Sequence, residues 1–166
     1  LAVRLSGEGA ILTVTDVNPA KMSLAAELGA TWVEPGTEHV VPADVFVPAG
    51  IGGLLTDDVI DALAAGAVCG PANNPLAERS GAARLADRGI LYAPDFVANA
   101  GGVIYLDVEA RTPGHREEIA TRIDGIGDTM RRLFDDAAER GVTPLDAAEA
   151  YAAERLRAGA RQPAGV

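Results

Sequence analysis

Two short apolar runs in this sequence are each followed by an asparagine that could contact a ligand. Asn73 follows residues 67–69, and Asn99 follows residues 90–92. In an open parallel sheet, ligands bind beyond the carboxyl ends of the strands. A carboxamide both donates and accepts hydrogen bonds, so it suits a ligand that itself carries a carboxamide, such as nicotinamide. For Asn74, which lies beside Pro75, we favour an Asx turn that caps the next helix.

Glycines stand near both asparagines. Residues 48–53 form a glycine-rich segment between a predicted strand and a predicted helix. Because its glycines have no side chains, the backbone of this segment could approach a flat ligand closely. An ordinary tight connection between the strand and the helix is an equally open interpretation. Gly101 and Gly102 follow Asn99 inside a predicted helix. Adjacent glycines destabilise a helix interior, so they predict close packing or ligand approach there.

Asp16 follows the β-branched run of residues 11–15. In dinucleotide-binding proteins an acidic residue at this place binds the ribose hydroxyls, about 20 residues after the first glycine of G-x-G-x-x-G. That count runs past the start of the sequence, so we expect the phosphate loop to be absent from this chain. A turn or helix-capping aspartate remains an open alternative. A carboxylate here would repel a 2′-phosphate, which favours NAD over NADP.

Apolar runs alternate with helical patterns, and this order predicts the fold. Strands are predicted at residues 11–15, 45–47, 67–69 and 90–92, and helices within residues 18–29, 56–63, 76–86 and 95–108. Because the strands are apolar throughout, they indicate a parallel sheet that is covered on both faces. We therefore expect an α/β fold with a Rossmann-like, doubly wound parallel sheet, truncated at its N-terminus and followed by C-terminal helices.

The C-terminal part of the sequence is predicted to be helical. An apolar face runs along residues 119–134 of a long helix that is expected to end at Gly141, and a second helix is expected over residues 144–156. Gly125 and Gly127 interrupt the first of these helices, so we expect another part of the protein to pack closely against them. Residues 161–166 are expected to form a frayed tail.

Composition excludes several classes of function. The net charge is −10 and Lys21 is the single lysine, which argues against nucleic acid and anionic membrane as partners. No apolar run approaches the length of a membrane span, so a cytoplasmic protein is expected. The single cysteine, Cys69, excludes an internal disulfide and is expected to be buried. No metal site is expected, and His39 and His115 are assigned to the surface.

Four segments together resemble a known family. They are VTDVN at 14–18, DVFVPA at 44–49, GPANN at 70–74 and GILYAPDFVANAGG at 89–102. In this order and spacing the chain is similar to the amino acid dehydrogenases, in particular to the branch that acts on leucine, phenylalanine and valine. The resemblance implies NAD-dependent, reversible oxidative deamination of an apolar L-amino acid to a 2-oxo acid and ammonia.

The resemblance also implies roles for individual residues. Asp16 would bind the adenosine ribose, with Val17 and Asn18 beside the adenine. Ala49 and Gly50 would line the nicotinamide side, and Asn73 would bind the nicotinamide ribose or carboxamide. Asn99 would lie where nicotinamide meets substrate, and Val103 would help to shape the pocket for the substrate side chain. These eight residues are the predicted cofactor and substrate contacts.

The resemblance assigns residues 1–112 to an NAD-binding domain and residues 113–160 to helices that pack toward a substrate domain. Family members carry their catalytic lysines in that substrate domain. Lys21 does not match such a position, so no catalytic residue is expected in this chain and it is expected to perform no turnover alone. The partners implied are a small amino acid or 2-oxo acid and further copies of the full protein. A stand-alone Rossmann module without catalysis is the alternative.

Overall fold

The computed structural model describes residues 1–160, so the predicted tail at 161–166 lies outside the described residues. These residues form two compact units. The first contains Leu1–Pro42 and Ala62–Ala64, and the second contains Ala43–Asp61 together with the chain from Ala65 onward. The predicted functional division at residue 112 stays a prediction.

The first unit contains two short helices and a pair of parallel strands. The elements are α1 (Ala2–Gly7), β1 (Thr13–Val14), α2 (Met22–Glu27) and β2 (Thr31–Trp32). Thr13 lies opposite Thr31 and Val14 opposite Trp32. The β2 strand was not predicted, because its two residues are too short a run to give a recognisable pattern.

The start and end of the predicted first helix are confirmed. Asn18 accepts a hydrogen bond of 3.0 Å from the Ala20 N–H through its side chain, and a 3₁₀ turn over Pro19–Lys21 leads into α2. Asn and Pro at these two places are typical of a helix start. Gly29 has a φ of +65°, a left-handed conformation that ends the helix.

The second unit contains a parallel sheet of three strands in the order β3-β4-β5. The strands are β3 (Ala43–Phe46), β4 (Ala65–Val68) and β5 (Leu91–Tyr92). Phe46 lies opposite Val68, which lies opposite Tyr92. Because all three strands are parallel, their carboxyl ends meet at one edge of the sheet. The loops that carry Asn73 and Asn99 therefore begin at the same edge.

Two helices follow β3 and β4, and one of them is shorter than predicted. They are α3 (Asp57–Ala62) and α4 (Gly81–Asp87). The helix expected at residues 76–86 was wrong over residues 76–80. There the Leu55 N–H donates to the Pro75 carbonyl over 2.8 Å, and the Ala77 N–H donates to the Leu55 carbonyl over 3.1 Å. This isolated parallel bridge holds Leu76 beside Leu55, and the chain then bends and turns over residues 77–80 before α4 begins.

The predicted helix at 95–108 is divided in two. It comprises α5 (Asp95–Ala98) and α6 (Gly101–Arg111), with Asn99 ending α5. Gly101 and Gly102 therefore stand in the first turn of α6 and not in a helix interior. The predicted close packing is wrong at Gly102, where a Cβ would meet no described atom within 4 Å, whereas a Cβ on Gly101 would lie 3.9 Å from the Ile123 Cδ1, an ordinary van der Waals contact.

Two long helices complete the described chain, α7 (Arg116–Arg140) and α8 (Pro144–Ala160). Gly141 ends α7 with a φ of +63°, as predicted. The Asp146 N–H donates to the Thr143 hydroxyl over 3.1 Å and the Thr143 N–H donates to the Asp146 carboxylate over 3.1 Å, a capping box that starts α8. The prediction of close packing at Gly125 was wrong, since a Cβ placed on Gly125 would meet no atom of the described residues within 4 Å.

The core of the second unit is formed by aliphatic side chains of its sheet and helices. Among the most deeply buried are Leu55, Ile60, Val68, Leu85 and Val108. Cys69 was expected in this core and is exposed instead, because β4 ends one residue earlier. Within residues 1–160, no helix is both long enough and apolar enough to cross a membrane.

Candidate functional site

The loops after β3 and β4 are joined by backbone hydrogen bonds. The Ala72 N–H donates to the Pro48 carbonyl over 3.0 Å, and the Gly53 N–H donates to the Asn74 carbonyl over 2.8 Å. The glycine-rich segment at 48–53 therefore runs alongside the segment that carries the asparagines. These contacts hold the backbone on both sides of Asn73, at the Ala72 N–H and at the Asn74 carbonyl.

Two glycines make this close approach possible. A Cβ on Gly52 would lie 2.9 Å from the Asn73 carbonyl oxygen and 3.1 Å from that of Asn74. A Cβ on Gly70 would collide with the backbone of Pro48. Real Cβ atoms do not approach backbone this closely, so the two loops can adopt this arrangement only with glycine at both places. The sequence left two interpretations open for the glycine-rich segment, ligand approach and an ordinary tight connection, and Gly52 serves the connection between the loops.

Asn73 and Asn99 are brought together by the sheet edge. The Asn99 Nδ2 donates to the Asn73 Oδ1 over 2.7 Å, and it also lies 3.5 Å from the Pro71 carbonyl oxygen. Within residues 1–160 the Asn73 Nδ2 and the Asn99 Oδ1 have no hydrogen-bond partner. The pair therefore offers one free donor and one free acceptor, which is the set that a single carboxamide ligand can satisfy.

Asn74 is a turn residue, although not in the way that the sequence indicated. Its φ is +48°, a left-handed conformation that asparagine tolerates better than most residues. It caps no helix, because α4 begins only at Gly81. Its N–H instead donates to the Asp95 Oδ2 over 2.8 Å. No local pattern predicts this partner, which lies 21 residues further along the chain.

Asp95 has a second partner in the buried Tyr92. The Tyr92 hydroxyl donates to the Asp95 Oδ1 over 3.3 Å, and Tyr92 is 2% exposed. Burial, together with the charge of Asp95, raises the pKa of Tyr92 far above its usual range. The phenol therefore stays protonated and remains a donor at any physiological pH.

The predicted adenosine contacts lie in the first unit. The Asp16 Oδ1 accepts a hydrogen bond of 2.8 Å from the Asn18 N–H, which is the turn interpretation left open by the sequence. Val17 between them is 90% exposed. Asp16 is half-buried, and its Oδ2 has no partner among residues 1–160, so the turn leaves one carboxylate oxygen for a ligand hydroxyl.

The remaining predicted contacts are exposed. Ala49 and Gly50 lie on the surface of the glycine-rich loop, and Val103 on α6 is 72% exposed. Val103 does not line the open groove of about 650 Å³ between the helices, whereas the neighbouring Ile104 does.

Sequence reasoning missed most of this groove. Its walls include apolar residues from four helices: Phe96, Ile104, Ile126, Tyr151 and Leu156. The periodic spacing of apolar residues within each helix could have indicated an apolar face on that helix. No local pattern shows that the apolar faces of four helices meet in one groove. Arg122, Arg132 and Arg155 stand among them, so the groove combines apolar walls with guanidinium groups.

Comparison with known proteins identifies the family. Residues 9–163 match the profile of the family described as Glutamate/Leucine/Phenylalanine/Valine dehydrogenase. The chain belongs to this dehydrogenase family. It is 38% identical over 158 residues to a leucine dehydrogenase of Thermoactinomyces intermedius. It is 36% identical over 167 residues to a phenylalanine dehydrogenase of Caldalkalibacillus thermarum. The predicted resemblance, including the leucine and phenylalanine branch, is confirmed.

A crystal structure of the family supports the fold. The L-tryptophan dehydrogenase of Nostoc punctiforme matches with a TM-score of 0.89 and 36% identity, over 95% of this chain and 48% of that chain. The predicted Rossmann-like α/β fold is confirmed by this match. The two curated dehydrogenases are aligned over 94% and 97% of this chain but only 43% and 45% of their own lengths. The chain therefore spans less than half the length of the family members it matches.

Proposed function

We propose that this chain is the NAD-binding portion of an L-amino acid dehydrogenase. The enzyme would catalyse reversible oxidative deamination of an apolar L-amino acid to a 2-oxo acid and ammonia. Family membership supports the class of reaction. The observation that carries the cofactor assignment is the hydrogen bond of 2.7 Å between the side chains of Asn99 and Asn73.

The asparagine pair suits the carboxamide of nicotinamide. The free Asn73 Nδ2 would donate to the carboxamide oxygen, and the free Asn99 Oδ1 would accept from the carboxamide NH₂. This would fix the rotation of the ring relative to the sheet edge. When bound, NAD would supply the acceptor for the hydride from the substrate Cα. Ala49 and Gly50 would lie along the nicotinamide, where small residues leave room for the ring.

Asp16 would determine the choice of dinucleotide. One of its oxygens is held by the Asn18 N–H, so the other would accept from a ribose hydroxyl. A 2′-phosphate would bring a second negative charge to this carboxylate, and like charges at contact distance repel. NAD is therefore favoured over NADP. Val17 and Asn18 would stand beside the adenine, with Val17 offering an exposed apolar side chain.

The residues of this chain do not supply the acid–base chemistry of deamination. That reaction needs a group that removes a proton from the substrate amine and stabilises the polar intermediate. Lys21 is the single lysine in the sequence, and it ends the 3₁₀ turn that follows Asn18. We therefore propose that the 166-residue chain binds the cofactor and performs no turnover by itself.

The proposed substrate is an apolar amino acid. Asn99 would stand where the nicotinamide meets the substrate, and Val103 on α6 would help to shape the site for the side chain. Val103 and its neighbour Ile104 are themselves apolar, so they favour an apolar substrate side chain beside them. We further propose that the full protein self-associates, as the resemblance implies.

Equilibrium binding and an activity assay test this proposal. NADH fluorescence titrated with the purified chain is expected to show saturable binding, with weaker binding of NADPH. Leucine, valine or phenylalanine with NAD is expected to yield no NADH. Absence of any NADH binding would refute the cofactor assignment. Amino acid-dependent NADH formation by the isolated chain would refute the assignment of catalysis to groups outside it.

A further inference from the structure

Asp95 lies one helical turn before Asn99, and both side chains reach the same neighbouring loop. The Asn99 N–H donates to the Asp95 carbonyl over 2.8 Å, which closes the single turn of α5. Side chains four residues apart lie on the same side of a helix. Asp95 accepts from the Asn74 N–H, and Asn99 donates to the Asn73 side chain. Two consecutive residues of the loop are therefore bound by two residues of one helical turn.

The carboxylate of Asp95 is itself held in place. Its Oδ1 accepts from the Tyr92 hydroxyl and its Oδ2 accepts from the Asn74 N–H. Tyr92 is buried at the end of β5, so the sheet anchors this carboxylate. A hydrogen bond to a charged acceptor is stronger than one between neutral groups. Asp95 therefore connects the strand β5 with the turn that follows β4.

The Asn74 turn needs such a partner. Asn74 is the single non-glycine residue with a positive φ among the described residues, and it precedes Pro75, which restricts its backbone further. Left-handed conformations cost free energy and persist only where surrounding contacts determine them. On the other side of the same residue, its carbonyl accepts from the Gly53 N–H over 2.8 Å. Loss of the Asp95 bond would leave that side of the turn without its anchor.

From these contacts we infer that Asp95 is a positioning residue for the cofactor site. It fixes the Asn74 turn, and through the turn it aims the Asn73 side chain at Asn99. The free donor and acceptor of the asparagine pair then point in a defined direction before any ligand binds. This inference rests on the proposed function only for the identity of the ligand, since the positioning itself is a property of the chain alone.

Nuclear magnetic resonance of the ¹⁵N-labelled chain tests the positioning without a cofactor. In Asp95→Ala, exchange of the Asn99 side-chain amide protons and of the Asn74 N–H is expected to accelerate by about tenfold or more. In Asp95→Asn, an amide oxygen can still accept from the Asn74 N–H, so exchange is expected to stay within about threefold of wild type. Asn73→Ala is expected to accelerate exchange of the Asn99 amide but not that of the Asn74 N–H.

A matched control separates positioning from general loss of stability. Asp107 also accepts charged hydrogen bonds, from Arg111 and Arg122, but it lies on α6. Asp107→Ala is expected to lower the melting temperature and leave exchange of the Asn99 amide at the wild-type rate. The inference is overturned if Asp95→Ala leaves this exchange unchanged, or if Asp107→Ala accelerates it equally.

NADH affinity provides the functional readout. Asp95→Ala is expected to raise the Kd for NADH by about tenfold, and Asp95→Asn is expected to restore most of the affinity. If wild type binds no NADH, the proposed cofactor fails while the exchange experiment still decides the role of Asp95. If wild type binds NADH and Asp95→Ala binds it equally well, the positioning role fails while the proposed function stands.

Discussion

The side chain of Asn99 donates a hydrogen bond of 2.7 Å to the side chain of Asn73, although the two residues are 26 positions apart in the sequence. The contact exists because β4 and β5 are adjacent parallel strands whose carboxyl ends meet at one edge of the sheet. Each amide orients the other, and each keeps one polar group for a ligand.

The two asparagines are expected to act as one unit in NADH binding. Asn73→Ala and Asn99→Ala should each raise the Kd for NADH by about tenfold, since each leaves its partner free to rotate. The double variant should bind only slightly more weakly than either single variant, because residues that share a hydrogen bond are not additive. Isothermal titration calorimetry of the four proteins measures the coupling. If the losses of binding free energy in the two single variants simply added in the double variant, the claim that the asparagines act as one unit would be contradicted.

Gly52 is expected to tolerate no side chain. Its Cβ would lie 2.9 Å from the Asn73 carbonyl oxygen, so Gly52→Ala must displace backbone, at a cost of about 1–3 kcal/mol in unfolding free energy. The displaced loop should also weaken NADH binding. Urea unfolding and NADH titration check the two effects.

Gly127→Ala is the control for that experiment. The nearest atom to its Cβ is the end of the Arg131 side chain at 3.8 Å, and Gly127 stands in the interior of α7. Alanine is the better helix former, so we expect stabilisation by roughly 0.5–1 kcal/mol and unchanged NADH affinity. A destabilised Gly127→Ala would contradict the open space around Gly127, where, among the described residues beyond the backbone of α7 itself, only the end of the Arg131 side chain lies within 4 Å.

Asp16→Asn is expected to reduce the preference for NADH over NADPH. The amide oxygen can still accept from the Asn18 N–H, so the turn is retained while the negative charge is removed. The ratio of the two Kd values should fall by about tenfold, because the repulsion of the 2′-phosphate is lost. Parallel fluorescence titrations with NADH and NADPH measure this ratio. An unchanged ratio would mean that Asp16 acts only in the turn.

Asp107 is expected to make stability depend on pH in the acid range. Hydrogen bonds from Arg111 and Arg122 lower the pKa of Asp107 from 3.8 to about 2. Because the folded pKa lies below the unfolded one, the contribution is complete above about pH 4 and disappears as the pH falls toward about 2. Urea midpoints should differ between wild type and Asp107→Asn at about pH 6 and converge at about pH 2. A difference that persists in acid would contradict the assignment.

The sequence predicted those elements whose local pattern is strong. The apolar strands β3, β4 and β5 and the amphipathic helix α7 were found because each forms a recognisable run, and Gly141 ended α7 as expected. The elements that were missed depend on distant contacts. Leu76 pairs with Leu55 at the place where the helix was predicted to begin, and the break between α5 and α6 falls where Asn99 reaches Asn73. Neither of these distant partners, Leu55 and Asn73, can be predicted from the residues adjacent to Leu76 or Asn99.

The same limit applies to the candidate site. Asn73 and Asn99 could be selected because a parallel sheet brings strand ends together. Asp95 could not be selected, since its role depends on the left-handed turn at Asn74 and on the buried hydroxyl of Tyr92. The exposure of Cys69 could likewise not be predicted, because the apolar run at 67–69 does not show that the strand ends at Val68.

The central claim is that the asparagine pair binds the nicotinamide end of NAD. Its most direct test is a titration of the ¹⁵N-labelled chain with NADH, followed through the side-chain amide signals of Asn73 and Asn99. We predict saturable shifts of both signals with a single Kd, and no shift for the Gly127 amide on α7. Saturable binding that leaves both asparagine signals unmoved, or no binding at all, would contradict the account.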